Sequence, residues 1–263
     1  MWARARPTPP WCWCCASWAR PTTAAEEGQA RAMRRKLVLT PDLVALVERK
    51  VPQDHLPPDP DRVPMTEADY AEGVSRIIAQ HGPGDIWVFA YGSLLWNPGF
   101  DFSERRTATL RGWHRAFCMK LSRFRGSPEQ PGLMLGLDHG GSCKGEVYRI
   151  SEASTVAELD KLLRREVPYR RLASAWRFVD VDIAGTKQKA LTFYAGMRRD
   201  RFYVDLPIHA QAHMLARAAG FGGSGAAYLH YTVMKLEELG IHDSYLWELQ
   251  HLVAAEIRAL SGA

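Results

Sequence analysis

The sequence predicts an α+β fold in which a mixed, partly closed β-sheet is flanked by helices. Two features of the chain support this class. Short apolar or alternating segments, which are typical of strands, recur between residues 86 and 195, with one helical segment among them. After residue 207, apolar residues instead recur every three or four positions, which is typical of packed helices. Strands that come early and helices that gather late indicate an α+β architecture.

The charge of the chain is concentrated at one end. The 263 residues are 46% hydrophobic and 24% charged, which is ordinary for a globular protein. Residues 1–36 hold seven basic and two acidic residues, which accounts for the net charge of +5 and leaves a neutral body. A neutral body gives no indication of a polyanionic partner, so we expect no nucleic-acid binding. No apolar run approaches the ~20 residues that span a bilayer, so we expect no membrane association.

The five cysteines suggest no disulfide framework. Cys12, Cys14 and Cys15 cluster near the N-terminus, whereas Cys118 and Cys143 lie in strand-like segments. A metal site in the N-terminal cluster would lack a nearby fourth ligand. We therefore expect a reducing, cytoplasmic location.

Composition divides the chain into three parts. Residues 1–36 hold four of the nine tryptophans and show no periodicity, so we expect a disordered leader. We hypothesise that this leader is a start-site artefact and that translation begins at Met33. Residues 37–84 are expected to form an N-terminal helical extension, and residues 85–260 the main domain.

Two helices are predicted in the extension. Thr40 and the proline after it open a short helix over residues 43–50. Thr66 and Asp69 form the pattern of a capping box, and apolar residues at helical spacing follow it as far as Gly82.

The main domain begins with a strand that ends in a glycine loop. Residues 86–90 are an unbroken apolar run, and the Tyr-Gly-Ser of residues 91–93 follows at once. Because Gly92 has no Cβ, the backbone can turn tightly there and direct the next N–H groups into one concavity. Such a concavity suits an oxyanion or a carboxylate. The alternative is an ordinary strand and turn with a buried Trp96.

Three more strands are predicted downstream. Residues 108–121 form the first, with Gly112 as a bulge. Residues 133–137 and 145–150 form two more, which residues 138–141 are expected to join into a hairpin.

The segment of residues 123–132 shows no regular periodicity. It places Arg123 and Arg125 beside a Gly-Ser pair, a composition suited to a mobile loop that grips a carboxylate. A solvated basic loop is the alternative.

A predicted helix over residues 153–166 carries an acid on its apolar face. Glu166 falls on the face formed by Val156 and the leucines, and Arg164 and Arg165 are expected to point away from it. A carboxylate buried at the negative end of a helix should have a raised pKa. The alternative is a glutamate that is hydrogen-bonded at the helix end or paired with Arg170 or Arg171.

The remaining chain reads as two strands and three helices. The strands are predicted at residues 176–183 and 189–195, and the helices at residues 207–219, at residues 228–239 and after Asp243.

Two motifs in this region resemble functional sites but lack the required context. His209 and His213 have the spacing of metal ligands, but HAQAH lacks the Glu of HExxH and no third ligand is evident, so we expect no metal. Residues 220–225 match GxGxxG but follow a helix instead of a strand, which argues against a dinucleotide site.

Several separated motifs resemble one known family. The run FAYGSLLW at residues 89–96 is similar to the glycine loop of the γ-glutamylcyclotransferases, specifically of their ChaC-like, glutathione-degrading branch. Matching segments follow in the same order at residues 125–133, 164–169 and 236–243. The resemblance covers roughly residues 37–260, and its several motifs make it far more specific than one tetrapeptide.

The resemblance implies a γ-glutamylcyclotransferase-like fold, a small barrel flanked by helices, with residues 85–260 as the catalytic domain. It implies an enzyme that cleaves glutathione by cyclising the γ-glutamyl group, which gives 5-oxoproline and Cys-Gly without a cofactor. The alternatives are a cyclotransferase for other γ-glutamyl amino acids or amines, and a non-catalytic regulator that binds γ-glutamyl peptides.

The resemblance also assigns residues to roles. Glu166 would be the catalytic acid and base. Tyr203 would offer a hydroxyl contact, although the residues alone give no reason to prefer it to Tyr194. The full set of expected substrate contacts is Tyr91, Gly92, Ser93, Leu94, Leu95, Trp96, Arg125 and Tyr203.

Overall fold

A computed structural model describes residues 36–52, 59–60 and 62–262. The expectations for the leader and for a start at Met33 concern residues outside this part of the chain. Residues from Lys36 onward form one compact unit, and the predicted boundary between extension and catalytic domain stays a prediction. The helices are α1 Pro41–Val47, α2 Glu67–His81, α3 Ser93–Trp96, α4 Thr155–Glu166, α5 Ile208–Arg217, α6 Gly225–Glu238 and α7 Ser244–Ser261. The main strands are β1 Ile86–Ala90, β2 Glu104–Leu121, β3 Gly132–Ile150, β4 Trp176–Ile183 and β5 Thr186–Phe193.

The five main strands form a closed barrel in the order β1-β3-β2-β4-β5. Strands β1 and β5 pair in parallel, and the other neighbours pair antiparallel, so the sheet is mixed as predicted. Two of the pairings are short. Strands β1 and β5 share two residue pairs, as do strands β2 and β4. The sheet is thus fully closed, where the sequence predicted a partly closed one.

The predicted hairpin between residues 133–137 and 145–150 is wrong. Both segments belong to the single strand β3, and both pair with β2. Gly140 and Gly141 have φ angles of 105° and 66°, which glycine adopts without strain, so the strand bends here without reversing. The register shifts opposite this bend, between Arg111 and Trp113, which confirms the predicted bulge at Gly112.

Helix α4 packs on α2 through its leucines. Leu159, Leu162 and Leu163 are buried, as the helical pattern predicted, and a Cβ on Gly73 of α2 would lie 3.0 Å from Leu163 Cδ1. Val156 is 64% exposed, so its predicted place on the buried face is wrong. The buried face runs instead along the leucines and ends at the C-terminus of the helix.

The N-terminal segment packs against the late helices. The Gln250 side-chain oxygen on α7 accepts the backbone N–H groups of Val38 and Leu39, at 3.1 and 2.8 Å. Thr40 caps α1 as predicted, but this helix ends at Val47 and not at residue 50. The start of the extension is therefore held by a helix from the far end of the chain.

The two predicted helix caps are confirmed. Thr66 and Asp69 form the capping box of α2, and Asp243 caps α7. The glycine-rich segment after α5 connects two helices, and it contains a short hairpin, β6 Ala219–Gly220 and β7 Gly223–Ser224.

Both Cys118 and Cys143 are free thiols. None of the described helices combines the length and apolar surface that crossing a bilayer requires.

Because Phe89 is fully buried at the centre of β1, its truncation should leave a cavity in the barrel core. We expect Phe89→Ala to lower the free energy of unfolding by about 3–5 kcal/mol. Phe102 is 38% exposed, so Phe102→Ala is the matched control and should cost much less. Urea denaturation of both variants measures the difference, and equal losses would contradict the assigned core.

Candidate functional site

The loop after β1 approaches helix α6 closely. A Cβ on Gly92 would lie 3.1 Å from the Tyr228 hydroxyl and 3.7 Å from Leu135 Cδ1, so a larger residue would push against both. The next residues form the single turn α3, in which Leu95 N–H donates to Gly92 O at 2.9 Å. The N–H groups of Ser93 and Leu94 precede this bond and have no acceptor among the described residues. Two backbone donors are thus available at the end of β1.

Glu166 is the last residue of α4, and its side chain is only 12% exposed. Burial raises the pKa of its carboxyl above the ordinary value, and the Arg165 guanidinium opposes part of this rise. The side chains of Arg165 and Glu166 form an ion pair, with 2.9 Å between Nε and Oε1. The prediction that Arg165 points away from Glu166 is therefore wrong, and so is the alternative pairing with a later arginine. Arg170 pairs with Asp69.

Arg165 also binds the segment that follows β1. Its Nη2 donates to Ser93 Oγ at 3.1 Å, and its Nη1 donates to the carbonyl oxygens of Pro98, at 2.9 Å, and of Asn97. One guanidinium therefore contacts both the buried acid and the glycine loop.

Three buried tyrosines surround the acid. Burial raises the pKa of Tyr91, Tyr194 and Tyr228 well above the usual range, and the Glu166 charge adds to each rise. Their hydroxyls are therefore protonated donors at neutral pH. Tyr194 donates to the Glu166 backbone carbonyl, and Tyr91 donates to Phe193 O at 3.0 Å.

Arg125 contacts the ring of Tyr228, whose hydroxyl lies near Gly92 of the glycine loop. Its Cζ is 5.3 Å from the Tyr228 ring centroid, and its Nη1 donates to Ser224 O at 3.1 Å. Burial lowers the pKa of this guanidinium, which still remains a cation at neutral pH. No carboxylate of the described residues forms an ion pair with Arg125. A partly buried cation of this kind is suited to a ligand carboxylate.

Other predicted site residues have structural contacts. Leu95 is buried in the core. Trp96 Nε1 donates to Thr232 Oγ1 at 3.2 Å, which joins α3 to α6. Tyr203 donates to Asp138 Oδ2 at 2.9 Å, and it is Tyr194 that contacts Glu166. The role expected for Tyr203 stays a prediction.

Sequence reasoning missed Arg165 and Tyr228, and it left Tyr194 as an equal alternative to Tyr203. Neighbouring residues on a helix point in different directions, so the pattern gave no signal that Arg165 would meet Glu166. Tyr194 follows β5 with a left-handed φ of 52°, which turns it out of the strand's alternation. Tyr228 belongs to the buried face of α6 and resembles an ordinary core residue in the sequence.

His209 and His213 have the spacing of metal ligands, and the sequence predicted that they bind no metal. The His213 ring lies 3.4 Å from Glu256 Oε2. No group of three or more His, Cys, Asp or Glu side chains suited to a metal ion occurs within the described ranges.

Known proteins are similar to this chain in sequence and in fold. The family model for ChaC-like proteins matches residues 86–256. The glutathione-specific gamma-glutamylcyclotransferase of Escherichia coli (strain K12) is 39% identical over 166 residues, which cover 63% of this chain and 71% of that protein. Glutathione-specific gamma-glutamylcyclotransferase 1 of Homo sapiens is 30% identical over 150 residues, which cover 56% and 68%.

A solved structure shows the same fold at low identity. The crystal structure of a gamma-glutamyl cyclotransferase specific to glutathione from yeast aligns with a TM-score of 0.59 at 19% identity. The alignment covers 66% of this chain and 97% of that one. Because the matched family region also extends over more than half of the sequence, this chain belongs to the family of ChaC-like proteins.

Proposed function

We propose that the protein is a γ-glutamylcyclotransferase that cleaves glutathione into 5-oxoproline and Cys-Gly. Relatives in Escherichia coli and Homo sapiens carry the name of a glutathione-specific enzyme of this type. The observation that carries the proposal here is the buried Glu166, paired with Arg165, which in turn contacts the glycine loop.

The reaction is an intramolecular aminolysis. The α-amine of the γ-glutamyl group attacks its own γ-carbonyl carbon, a C–N bond forms, and the amide bond to cysteine breaks. The proton lost by the attacking nitrogen is returned to the departing cysteine nitrogen. The reaction consumes neither water nor an oxidant. Holding the substrate folded is therefore a large part of the catalytic task.

Glu166 is the proposed acid and base. It takes a proton from the α-ammonium group and later delivers one to the leaving amine. A carboxylate with an ordinary pKa is a weak base for this step, and burial moves the Glu166 pKa upward. The Arg165 charge favours the ionised form and so opposes part of this rise in pKa.

Backbone and side-chain donors complete the proposed site. The N–H groups of Ser93 and Leu94 are offered to the oxyanion or to the γ-glutamyl carboxylate, and a donor of this kind is worth about 3 kcal/mol in an oxyanion hole. Arg125 is proposed to bind a substrate carboxylate. Tyr91, Gly92, Leu95, Trp96 and Tyr203 complete the proposed contact set.

We also propose a cytoplasmic location. Glutathione-dependent chemistry and free, buried thiols at Cys118 and Cys143 are both compatible with a reducing compartment.

Product analysis tests the reaction. Incubation of the full chain with glutathione should release equimolar 5-oxoproline and Cys-Gly, measured by mass spectrometry. Turnover of other γ-glutamyl amino acids in preference to glutathione would favour a broader cyclotransferase. Binding of glutathione without any product would favour a non-catalytic regulator.

Replacement of Glu166 by glutamine tests the assigned acid and base. Glu166→Gln keeps an oxygen acceptor for Arg165 but cannot transfer the proton, so kcat should fall by about 10²–10⁴-fold with the fold intact. Glu158→Gln is the matched control, because Glu158 is also buried on α4 but binds Asp101 N–H and Lys161. Near-native turnover by Glu166→Gln would refute the assignment.

The pH dependence of kcat/KM tests the electrostatic argument. Glu166 must be ionised to accept a proton, so activity should be lost as the pH falls through its pKa, which lies above the ordinary 4.5. Arg165→Gln removes the cation that lowers this pKa, so the acidic limb should move to higher pH. Arg164→Gln is the control, since Arg164 pairs with Glu67 and Asp160. An unshifted limb in Arg165→Gln would contradict the assigned pair.

A further inference from the structure

We propose that Glu48, which precedes the family-matched region, is a positioning residue that holds Arg125 in place for the substrate carboxylate. The proposal rests on the proposed function in its assumption that Arg125 binds substrate. The matched family region begins at residue 86, so Glu48 belongs to a part of the chain with no assigned role. It acts through the hairpin formed by β6 and β7.

Glu48 is bound to the end of this hairpin. Its Oε2 accepts the Ser224 N–H at 3.1 Å and also accepts the Ser224 hydroxyl. Three residues later, Val51 N–H donates to Gly220 O at 3.1 Å. Residues 48–51 therefore hold both strands of the hairpin.

The hairpin in turn holds Arg125. Arg125 Nη1 donates to the carbonyl of Ser224, the residue whose N–H and hydroxyl bind Glu48. Gly222 N–H donates to Phe124 O at 2.8 Å, which fixes the backbone beside Arg125. A Cβ on Gly223 would lie 2.6 Å from Glu48 Oε1 and 3.3 Å from Arg125 Nη1, so the carboxylate and the guanidinium approach the same glycine.

Ser224 also connects Glu48 to the first turn of α6, which carries Tyr228. Its hydroxyl donates to Glu48 and at the same time caps α6 by accepting Ala227 N–H at 3.1 Å. Tyr228 lies in the first turn of α6, beneath Arg125. Loss of the Glu48 acceptor should therefore loosen both Arg125 and the start of α6.

The charge of Glu48 has a second effect. Arg125 is largely removed from water, which disfavours its charged form, and the nearby Glu48 carboxylate counteracts this. Glu48 lies close enough to support the cation but does not form an ion pair with it. The guanidinium thus keeps hydrogen-bonding capacity for a ligand.

Steady-state kinetics on the full chain test the proposal. Glu48→Ala should raise KM for glutathione about tenfold with kcat changed less than about twofold, because the change removes a contact that positions the substrate-binding Arg125 and leaves Glu166 unaltered. Glu48→Gln keeps an acceptor for Ser224 and should recover most of the loss. Glu256→Ala is the matched control, because Glu256 also ties two elements together, through Arg217 and His213, but away from Arg125.

Hydrogen exchange of backbone amides gives a readout that does not depend on activity. Glu48→Ala should speed exchange at residues 222–225, and Glu256→Ala should not. Wild-type kinetics and unchanged exchange in Glu48→Ala would overturn the proposal, as would a fall in kcat equal to the rise in KM. If the wild-type chain does not convert glutathione, the proposed function fails, and the exchange result alone decides whether Glu48 holds the hairpin.

Discussion

The buried ion pair of Arg165 and Glu166 constrains the whole site. Burial disfavours the charged form of a carboxylate and raises its pKa, whereas an exposed carboxylate is too weak a base for an amine. The pKa of Glu166 is set by two opposing effects, because burial raises it while the adjacent Arg165 cation lowers it. The same guanidinium binds Ser93 Oγ and two carbonyls beyond it. The electrostatics and the geometry of the site therefore depend on one side chain.

Features determined within a few residues were predictable from the sequence. Strand β1 has the predicted bounds because its apolar run is short and the Tyr-Gly-Ser of residues 91–93 follows at once. The Thr66–Asp69 capping box and the Gly112 bulge are likewise local, since each depends on backbone groups nearby in the chain. The burial of Glu166 could be inferred because the leucines of α4 define one face and the acid extends it.

Features that depend on distant residues were not predictable in the same way. The glycines at 140 and 141 are compatible with a turn or with a bend, and only pairing of both flanking segments with β2 selects the bend. The preference for Tyr194 over Tyr203 as the neighbour of Glu166 depends on how β5 leaves the barrel. Helix periodicity describes the buried leucines of α4 correctly but not Arg165, whose contacts form where the helix ends.

The two-pair contact between β1 and β5 has a consequence for folding. Its partners, Trp87 with Ala190 and Val88 with Leu191, are about 100 positions apart, whereas β2–β3 and β4–β5 are joined by short connections. Contacts between sequence neighbours form quickly, and those across long loops form slowly. During synthesis, one edge of β1 must therefore wait for most of the chain to leave the ribosome. Closure of the barrel is therefore the late step, and until then one edge of β1 stays unpaired and open to misassembly.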